Sequence, residues 1–361
     1  KIIQPFQLLL ECGLIRPTGA GLFTILPLAR RALDKLEIQI RSCIEAAGGQ
    51  RMSVPSVTAA ALWERTGRLQ EIGPELMKME DRHGKTYLLA PTHEEAIADL
   101  LADVGPLSYK QLPLLLYQIS NKYRDEHRPK HGLLRSREFS MLDAYGIHTS
   151  EDCALTVYRT VTQAYTELFK RLQLPVRRVT APSGDMGGSV SHEWQLPASA
   201  GEDQLSICSR CSYGTLDSTD KSAYAVSNVE FGQQVGHTFI LGSKYSEPLS
   251  ALYTPSSGAP RPLIMSCYGI GVTRLLAASL EALSSEKSLR WPAAIAPYSV
   301  IIIGPKVLCA EDTPGVESHR LADNKIWVAR RYPVRNRLES TLLRKSCGPS
   351  GRRPCWAPTV C

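Results

Sequence analysis

Apolar positions recur at helical spacing at Leu33, Leu36, Ile40 and Ile44, which predicts a helix over 28–47 stopped by Gly48-Gly49. Similar patterns predict helices over 59–68, from the 90–95 stretch to about Val104, over 151–172 and over 275–283, with a short one over 1–11 ending at Gly13. Strand signals fall at Met52 to Pro55, on both sides of the turn Asp81-Arg82-His83-Gly84, and over 231–245. The second strand of that turn covers 86–89. Two longer strand-like runs face each other across 116–145, joined by a loop containing Pro129 and Gly132. The segment 14–27 carries too many Gly and Pro residues for a regular element.

Polar residues in the 116–145 hairpin change the picture. Side chains alternate along a strand, so Gln118, Ser120, Lys122, Arg124 and Glu126 share one face, and Arg135, Phe139 and Asp143 share one face of the return strand. Paired Arg and Glu around one aromatic suit a planar base stacked on Phe139 and a polyphosphate gripped by Arg124 and Arg135, because guanidinium forks bind phosphate bidentately. A solvent-facing hairpin laced with salt bridges is the competing reading. In Ala90-Pro91-Thr92-His93-Glu94-Glu95, Thr92 suits an N-cap with Glu95 completing a capping box. Alternatively Thr92 and Glu94 point into a pocket, where the carboxylate would receive a substrate ammonium. Arg274, after Cys267-Tyr268-Gly269-Ile270-Gly271-Val272-Thr273, sits in the first turn of a helix and opposes its macrodipole unless an anion lies there. Neither a GxxxxGK[ST] loop nor a GxGxxG after a strand occurs, which disfavours the usual phosphate-loop and dinucleotide folds.

Composition narrows the class. The chain has 361 residues, 43% hydrophobic and 21% charged, as an ordinary globular protein has, and no apolar run reaches the length of a membrane span. Its net charge of +7 is concentrated at the end: positions 305–361 carry eleven Lys/Arg and five Asp/Glu, leaving +1 for everything before them. Such a tail can contact nucleic acid or remain a solvated, disordered end. Ten cysteines without a framework of close pairs favour a reducing compartment. Cys208-Ser209-Arg210-Cys211 is half of a zinc ribbon, and two free thiols are the simpler reading. The chain opens with Lys1, so its start is expected to be a processed or trimmed end.

Together these pieces resemble the three signature motifs of class II aminoacyl-tRNA synthetases. The first runs from Pro27 to Pro55. The second is the hairpin (about 116–145), with Tyr123-Arg124-Asp125-Glu126 and Arg135-Ser136-Arg137-Glu138-Phe139, and the third (about 267–283) contains Gly269-Ile270-Gly271-Val272-Thr273-Arg274. Pro91-Thr92-His93-Glu94-Glu95, the run from Gly187 to Gln195, Gly236-His237-Thr238-Phe239 and Cys267-Tyr268-Gly269 resemble bacterial-type prolyl-tRNA synthetases. Asp81-Arg82-His83-Gly84-Lys85 and Ile207-Cys208-Ser209-Arg210-Cys211-Ser212 point to the mitochondrial branch.

The resemblance implies an α+β fold: a catalytic domain over 1–298 with an antiparallel sheet flanked by helices, its first motif building a homodimer interface. It implies activation of proline by ATP and transfer of the prolyl group to the 3′ end of tRNA(Pro), with Mg²⁺ accompanying ATP on ligands the sequence does not name, in the mitochondrial matrix or else the cytoplasm. Arg124 would bridge the proline carboxylate and the α-phosphate, Glu126 would contact the adenine side, Arg135 and Arg274 would hold the outer phosphates, and Phe139 would stack on adenine. Thr92 and Glu94 would take the proline nitrogen, and His192, His237 and Cys267 would line the proline pocket. Little chain lies between Gln195 and Gly236, so an inserted editing domain is not expected. Leu142 stands where relatives keep a lysine, and their second Cys pair is missing. A shortened or divergent anticodon-binding region is expected over 299–361, beginning with a strand at Ser299 to Gly304, and with it adenylate formation but weak tRNA charging. An accessory protein with weakened catalysis is the rival reading, and retention of Arg124, Arg135 and Arg274 speaks against it.

Overall fold

The computed structural model describes residues 5–198, 201, 203–208, 214–216, 226–285 and 288–300. The chain opens with α1 (Pro5–Glu11), a ribbon of β1 (Ile15–Gly19) and β2 (Leu22–Ile25), and α2 (Pro27–Ala46), whose Pro27 sits where a missing N–H is tolerated. β3 (Gln50–Arg51) leads to a three-stranded sheet of β4 (Val57–Ala59), β5 (Met77–Glu80) and β6 (Thr86–Leu89), which carries α3 (Ala60–Arg65) and α4 (Arg68–Glu71). Next come α5 (Glu94–Val104), β7 (Leu107–Ser108), β8 (Leu114–Tyr123), β9 (Glu138–His148) and α6 (Glu151–Arg171). The remainder is β10 (Arg177–Thr180), β11 (Val190–Pro197), β12 (Asp203–Cys208), β13 (Gly214–Leu216), β14 (Val226–Gly242), α7 (Ser246–Leu249), β15 (Leu252–Thr254), β16 (Arg261–Pro262), β17 (Ile264–Gly271) and α8 (Val272–Leu283).

Among the described residues the main sheet has nine strands in the order β11-β10-β13-β12-β14-β17-β9-β8-β3, with β11 also paired to β14. From β14 through β17 and β9 to β8 the pairing is antiparallel. Alternation along these strands decides the layers. Leu142, Ala144, Ile240, Tyr268 and Ile270 face α2, α6 and α8 and join Leu33, Leu36, Ile40, Leu168 and Leu276 in the larger core. Each large aliphatic side chain buried there contributes about 1.5–3 kcal/mol. Their strand neighbours Tyr145, Ile147, Phe239, Leu241, Met265 and Cys267 face the other way, against Ile97, Ala98 and Leu101 of α5. One face of the sheet is thus covered by helices, and the uncovered part of the other floors a cavity.

Several local expectations are corrected. Segment 14–27 is ordered as a β-ribbon: Gly21 supplies the turn at φ 72°, and both strands are edges of a two-stranded sheet, where Pro17 removes no ladder bond that matters. The short strand expected at Met52 to Pro55 lies two residues earlier, as β3, although Met52 N still donates to the Tyr117 carbonyl at 2.8 Å. Thr92 does not cap α5; the N-cap is His93, with no side-chain hydrogen bond to the helix end. Arg135 lies outside the return strand, just after the 3-10 turn Gly132–Leu134, so it does not share a strand face with Phe139. Leu142 faces the helix-covered core, fully buried and away from the cavity. Ser299 and Val300 carry no strand, and residues 301–361, with Cys211, lie outside the described residues.

Candidate active site

A cavity of about 280 Å³ opens on the uncovered sheet face. Its floor is Phe139, Met141, Asp143 and Tyr145 of β9, Cys267 and Gly269 of β17, and His237 and Phe239 of β14, all on the parity that points away from α6. Its walls include Thr92 and Glu94 at the start of α5, Arg124 just after β8, and Arg274 in the first turn of α8.

One end is cationic. The Arg124 guanidinium stands 5.2 Å from the centroid of the Phe139 ring, and its backbone N–H donates to the Arg137 carbonyl at 2.9 Å, which ties the hairpin loop shut behind it. Arg274 Nε donates to the Leu134 carbonyl at 2.8 Å, and Nη1 reaches the backbone and side-chain oxygens of Gln234 at 3.3 and 3.2 Å. Burial lowers the pKa of both guanidinium groups, and the nearby charge of Arg124 helps push Arg274 down to about 10. Arg135 adds to that repulsion from outside the cavity lining, where it pairs with Glu126 at 2.8 Å. Positive charges held together in a low-dielectric pocket are relieved by a polyanion.

The other end is anionic and apolar. Glu94 Oε2 accepts a 2.5 Å hydrogen bond from Thr92 Oγ1, and both residues line the cavity. His237 stacks on Phe239 with ring centroids 3.8 Å apart, and its nitrogens lie 2.8 Å from Ser191 Oγ and 3.1 Å from Gln234 Nε2. Burial, reinforced by the positive charge of Arg124, lowers the His237 pKa to about 3, so its ring is neutral at physiological pH. Burial and the Glu94 carboxylate raise Cys267 well above the ordinary thiol range, which leaves it an uncharged wall rather than a nucleophile.

The floor itself contains a buried polar network on the cavity face of β8 and β9. Asp143 accepts from Lys122 Nζ at 2.6 Å, from Gln118 Nε2 at 3.0 Å and from Tyr145 OH at 2.8 Å. Tyr145 OH accepts the His93 backbone N–H at 3.0 Å, and the His93 ring reaches Gln118 and the Pro55 carbonyl, each at 3.1 Å. The hairpin is thereby fastened to the Thr92-His93-Glu94 turn. Hydrogen bonding and charge from His93 and Lys122 outweigh burial and hold Asp143 below the usual carboxylate range.

A family model for the tRNA synthetase class II core domain (G, H, P, S and T) matches residues 77–283. A proline--tRNA ligase of Wolbachia (subsp. Brugia malayi) is 38% identical over 325 residues, covering 84% of this chain and 76% of that protein. The chain belongs to the proline--tRNA ligase family of class II synthetases. A probable mitochondrial proline--tRNA ligase of Homo sapiens is 48% identical over 307 residues, covering 83% of this chain and 65% of that protein; the chain thus spans about two thirds of the mammalian mitochondrial relatives. Among solved structures, the Giardia lamblia prolyl-tRNA synthetase in complex with prolyl-adenylate superposes with a TM-score of 0.67 at 18% identity, covering 80% of this chain and 54% of that one. The Cryptosporidium parvum prolyl-tRNA synthetase complexed with L-proline and AMP superposes with a TM-score of 0.64 at 16% identity, covering 81% and 54%. These likenesses show the class II catalytic fold.

Within this prolyl-type core the structure brings Thr92, Glu94, Arg124, Phe139, His237, Cys267 and Arg274 to one cavity. Glu126 and Arg135 pair beside it and do not line it. His192 is the misplaced residue. In the antiparallel β11–β14 register it stands opposite Thr238, so it shares Thr238's face, and its ring bonds Tyr158 OH of α6 at 2.7 Å. Ser191 and Glu193 take the cavity-side parity instead. Within the 187–195 run Gly188 packs against β14: it adopts φ 101°, and a Cβ there would sit 1.9 Å from the Ile240 carbonyl. Arg68, Met186 and Gln234 line the cavity without having been singled out in the sequence. Their signal is tertiary. Among the described residues no group of three or more His, Cys, Asp or Glu side chains gathers to hold a metal, and Cys208 is buried at the end of β12.

Proposed function

We propose that this chain activates proline with ATP and passes the prolyl group to the 3′ end of tRNA(Pro). The observation that carries the reading is a single cavity with two guanidinium groups and an aromatic ring at one end and a Thr–Glu pair beside an apolar wall at the other. Adenylate formation needs no protein nucleophile, because the amino-acid carboxylate attacks the α-phosphate once held in line with the leaving pyrophosphate. In this reading Arg124 bridges the proline carboxylate and the α-phosphate. Arg274 opposes the charge that accumulates on the outer phosphates, and Arg135 with Glu126 guards the nucleotide side. Phe139 stacks on the adenine, and Glu94 with Thr92 receives the proline nitrogen. The neutral His237 and Cys267 shape the wall against the ring. Catalysis is then placement of positive charge where negative charge develops.

ATP is the nucleotide substrate and Mg²⁺ its companion ion; the described residues offer no gathered acidic set for Mg²⁺, so it is assigned no ligand and no step. The curated relatives named as mitochondrial support a mitochondrial location. Among the described residues no helix is long and apolar enough to cross a membrane. We assign a homodimer to the first-motif region, where Ile38 of α2 is half exposed, and its check is the mass in solution by light scattering. The function itself is tested by ATP–pyrophosphate exchange with a panel of amino acids. Exchange should be driven by proline and not by threonine, serine or glycine; equal exchange with any of these overturns the assignment.

A further inference from the structure

Glu94 and Glu95 stand side by side at the start of α5, yet they serve different partners. Glu94 lines the cavity with Thr92. Glu95 is fully buried, and its two oxygens receive Arg68 Nη1 at 2.9 and 3.1 Å, with Thr66 Oγ1 at 3.2 Å. The same Nη1 atom is 3.6 Å from Glu94 Oε2, and Arg68 itself lines the cavity. Arg68 is 1% exposed, with its guanidinium over the rings of Trp63 and Tyr245 at 4.8 and 5.3 Å from their centroids. A buried guanidinium must be paired, and this one has two carboxylates within reach. The distances show that it has chosen Glu95. Glu95 takes the short contacts, and Glu94, 3.6 Å from the same Nη1, is the carboxylate of the two that lines the cavity.

We propose that Glu95 is a positioning residue: it is the counter-ion that holds Arg68 off Glu94, so that the Glu94 carboxylate stays available to the cationic nitrogen of the amino-acid substrate. The inference rests on the proline-activating reading above. It assigns the Arg68–Glu95 pair control of the charge offered at the amino end of the pocket, without contact between Glu95 and substrate. Removing Glu95's charge leaves Glu94 as the nearest anion for Arg68, which then masks the group the substrate needs. Removing both charges of the pair restores the original balance at Glu94. A role limited to packing predicts no such recovery, since the double variant loses more contacts than the single.

The test is calorimetric titration of L-proline into the full chain, with ATP titrated separately, for wild type, Glu95→Gln and the double variant Arg68→Gln/Glu95→Gln. Glu95→Gln is expected to weaken proline binding by about tenfold or more, the size of losing one hydrogen bond to a charged group, while ATP affinity changes far less. The double variant is expected to recover most of that loss. Unchanged proline binding in Glu95→Gln, or a double variant as weak as the single, overturns the inference. Should Glu95→Gln fail to fold, the double decides: proline binding near the wild-type value supports the inference, and a double variant that folds without binding, or fails to fold, overturns it. A wild type that binds ATP but no proline sinks the proline-activating reading itself.

Discussion

Lys122 Nζ lies 2.6 Å from Asp143 Oδ1, with the lysine fully buried and the aspartate nearly so, at the floor of the cavity. The pair joins the two long strands of the hairpin at the point where Asp143 also receives Gln118 and Tyr145. Burial lowers the Lys122 pKa, and the Asp143 charge works against that. Removing one partner leaves the other charged and unpaired in the interior. Lys122→Met is therefore expected to destabilise the protein by about 3–5 kcal/mol, with Asp143→Asn close behind, and urea denaturation followed by circular dichroism measures it. A change below about 1 kcal/mol is what an exposed pair would give and contradicts this account.

Glu94 is the anion at the amino end. Glu94→Gln keeps the shape and the hydrogen bond from Thr92 but removes the charge. The KM for proline should rise by about 10–100-fold, the worth of a hydrogen bond to a charged group, with the KM for ATP little altered. Initial-rate pyrophosphate exchange at varied proline and varied ATP separates the two.

Arg274 acts at the opposite end. Its Nε and Nη1 bonds to Leu134 and Gln234 fix the fork that faces the cavity. Arg274→Lys keeps a charge and loses that geometry, so the KM for ATP is expected to rise by about tenfold or more while the KM for proline stays near wild type. The reverse pattern would place Arg274 on the amino-acid side.

Glu193, on β11, gives a pH test. Burial raises its pKa to about 7, opposed by the hydrogen bond from Gln195 at 2.6 Å. Between about pH 4.5 and 7 the folded state holds a proton that the unfolded state has lost, so this group's contribution is full below pH 4.5 and is lost as pH rises to 7. Glu193→Gln imitates the protonated form. The variant should match wild type in stability at pH 4.5 and exceed it by about 3 kcal/mol at pH 8 in the ligand-free protein. The buried His148 and the partly buried His192 and His237, lowered to about 4, 4 and 3, act in the opposite sense, adding stability as pH rises from about 4 to 6.5. They are present in both proteins and cancel in the comparison. Thermal melts at the two pH values read it directly.

The long amphipathic helices and the central hairpin were legible because their patterns are local: α2 repeats apolar residues over its full length, and β8 and β9 alternate polar residues that no core would bury unpaired. The ribbon at 15–25 was hidden because Pro17 and Gly21 act as breakers in one context and as an edge residue and a turn in another. Thr92 and Glu95 satisfy the spacing of a capping box, but Arg68, twenty-seven residues upstream of Glu95, takes the carboxylate. His192 failed for a related reason. Which face it occupies is set by the register of β11 on β14, a pairing across more than forty residues that no window of sequence contains. Phe139, His237 and Cys267, which line the cavity, sit on strands whose alternation is a local pattern.

The shared cavity of Arg124 and Arg274 is the core of the account, and proline-dependent ATP–pyrophosphate exchange by wild type beside Arg124→Ala tests it most directly. Wild type should exchange only when proline is present, and Arg124→Ala should lose about 10²–10³-fold in rate, the cost of removing one preorganised electrostatic group. Exchange that persists in Arg124→Ala at the wild-type rate, or a folded wild type with no proline-dependent exchange, contradicts it.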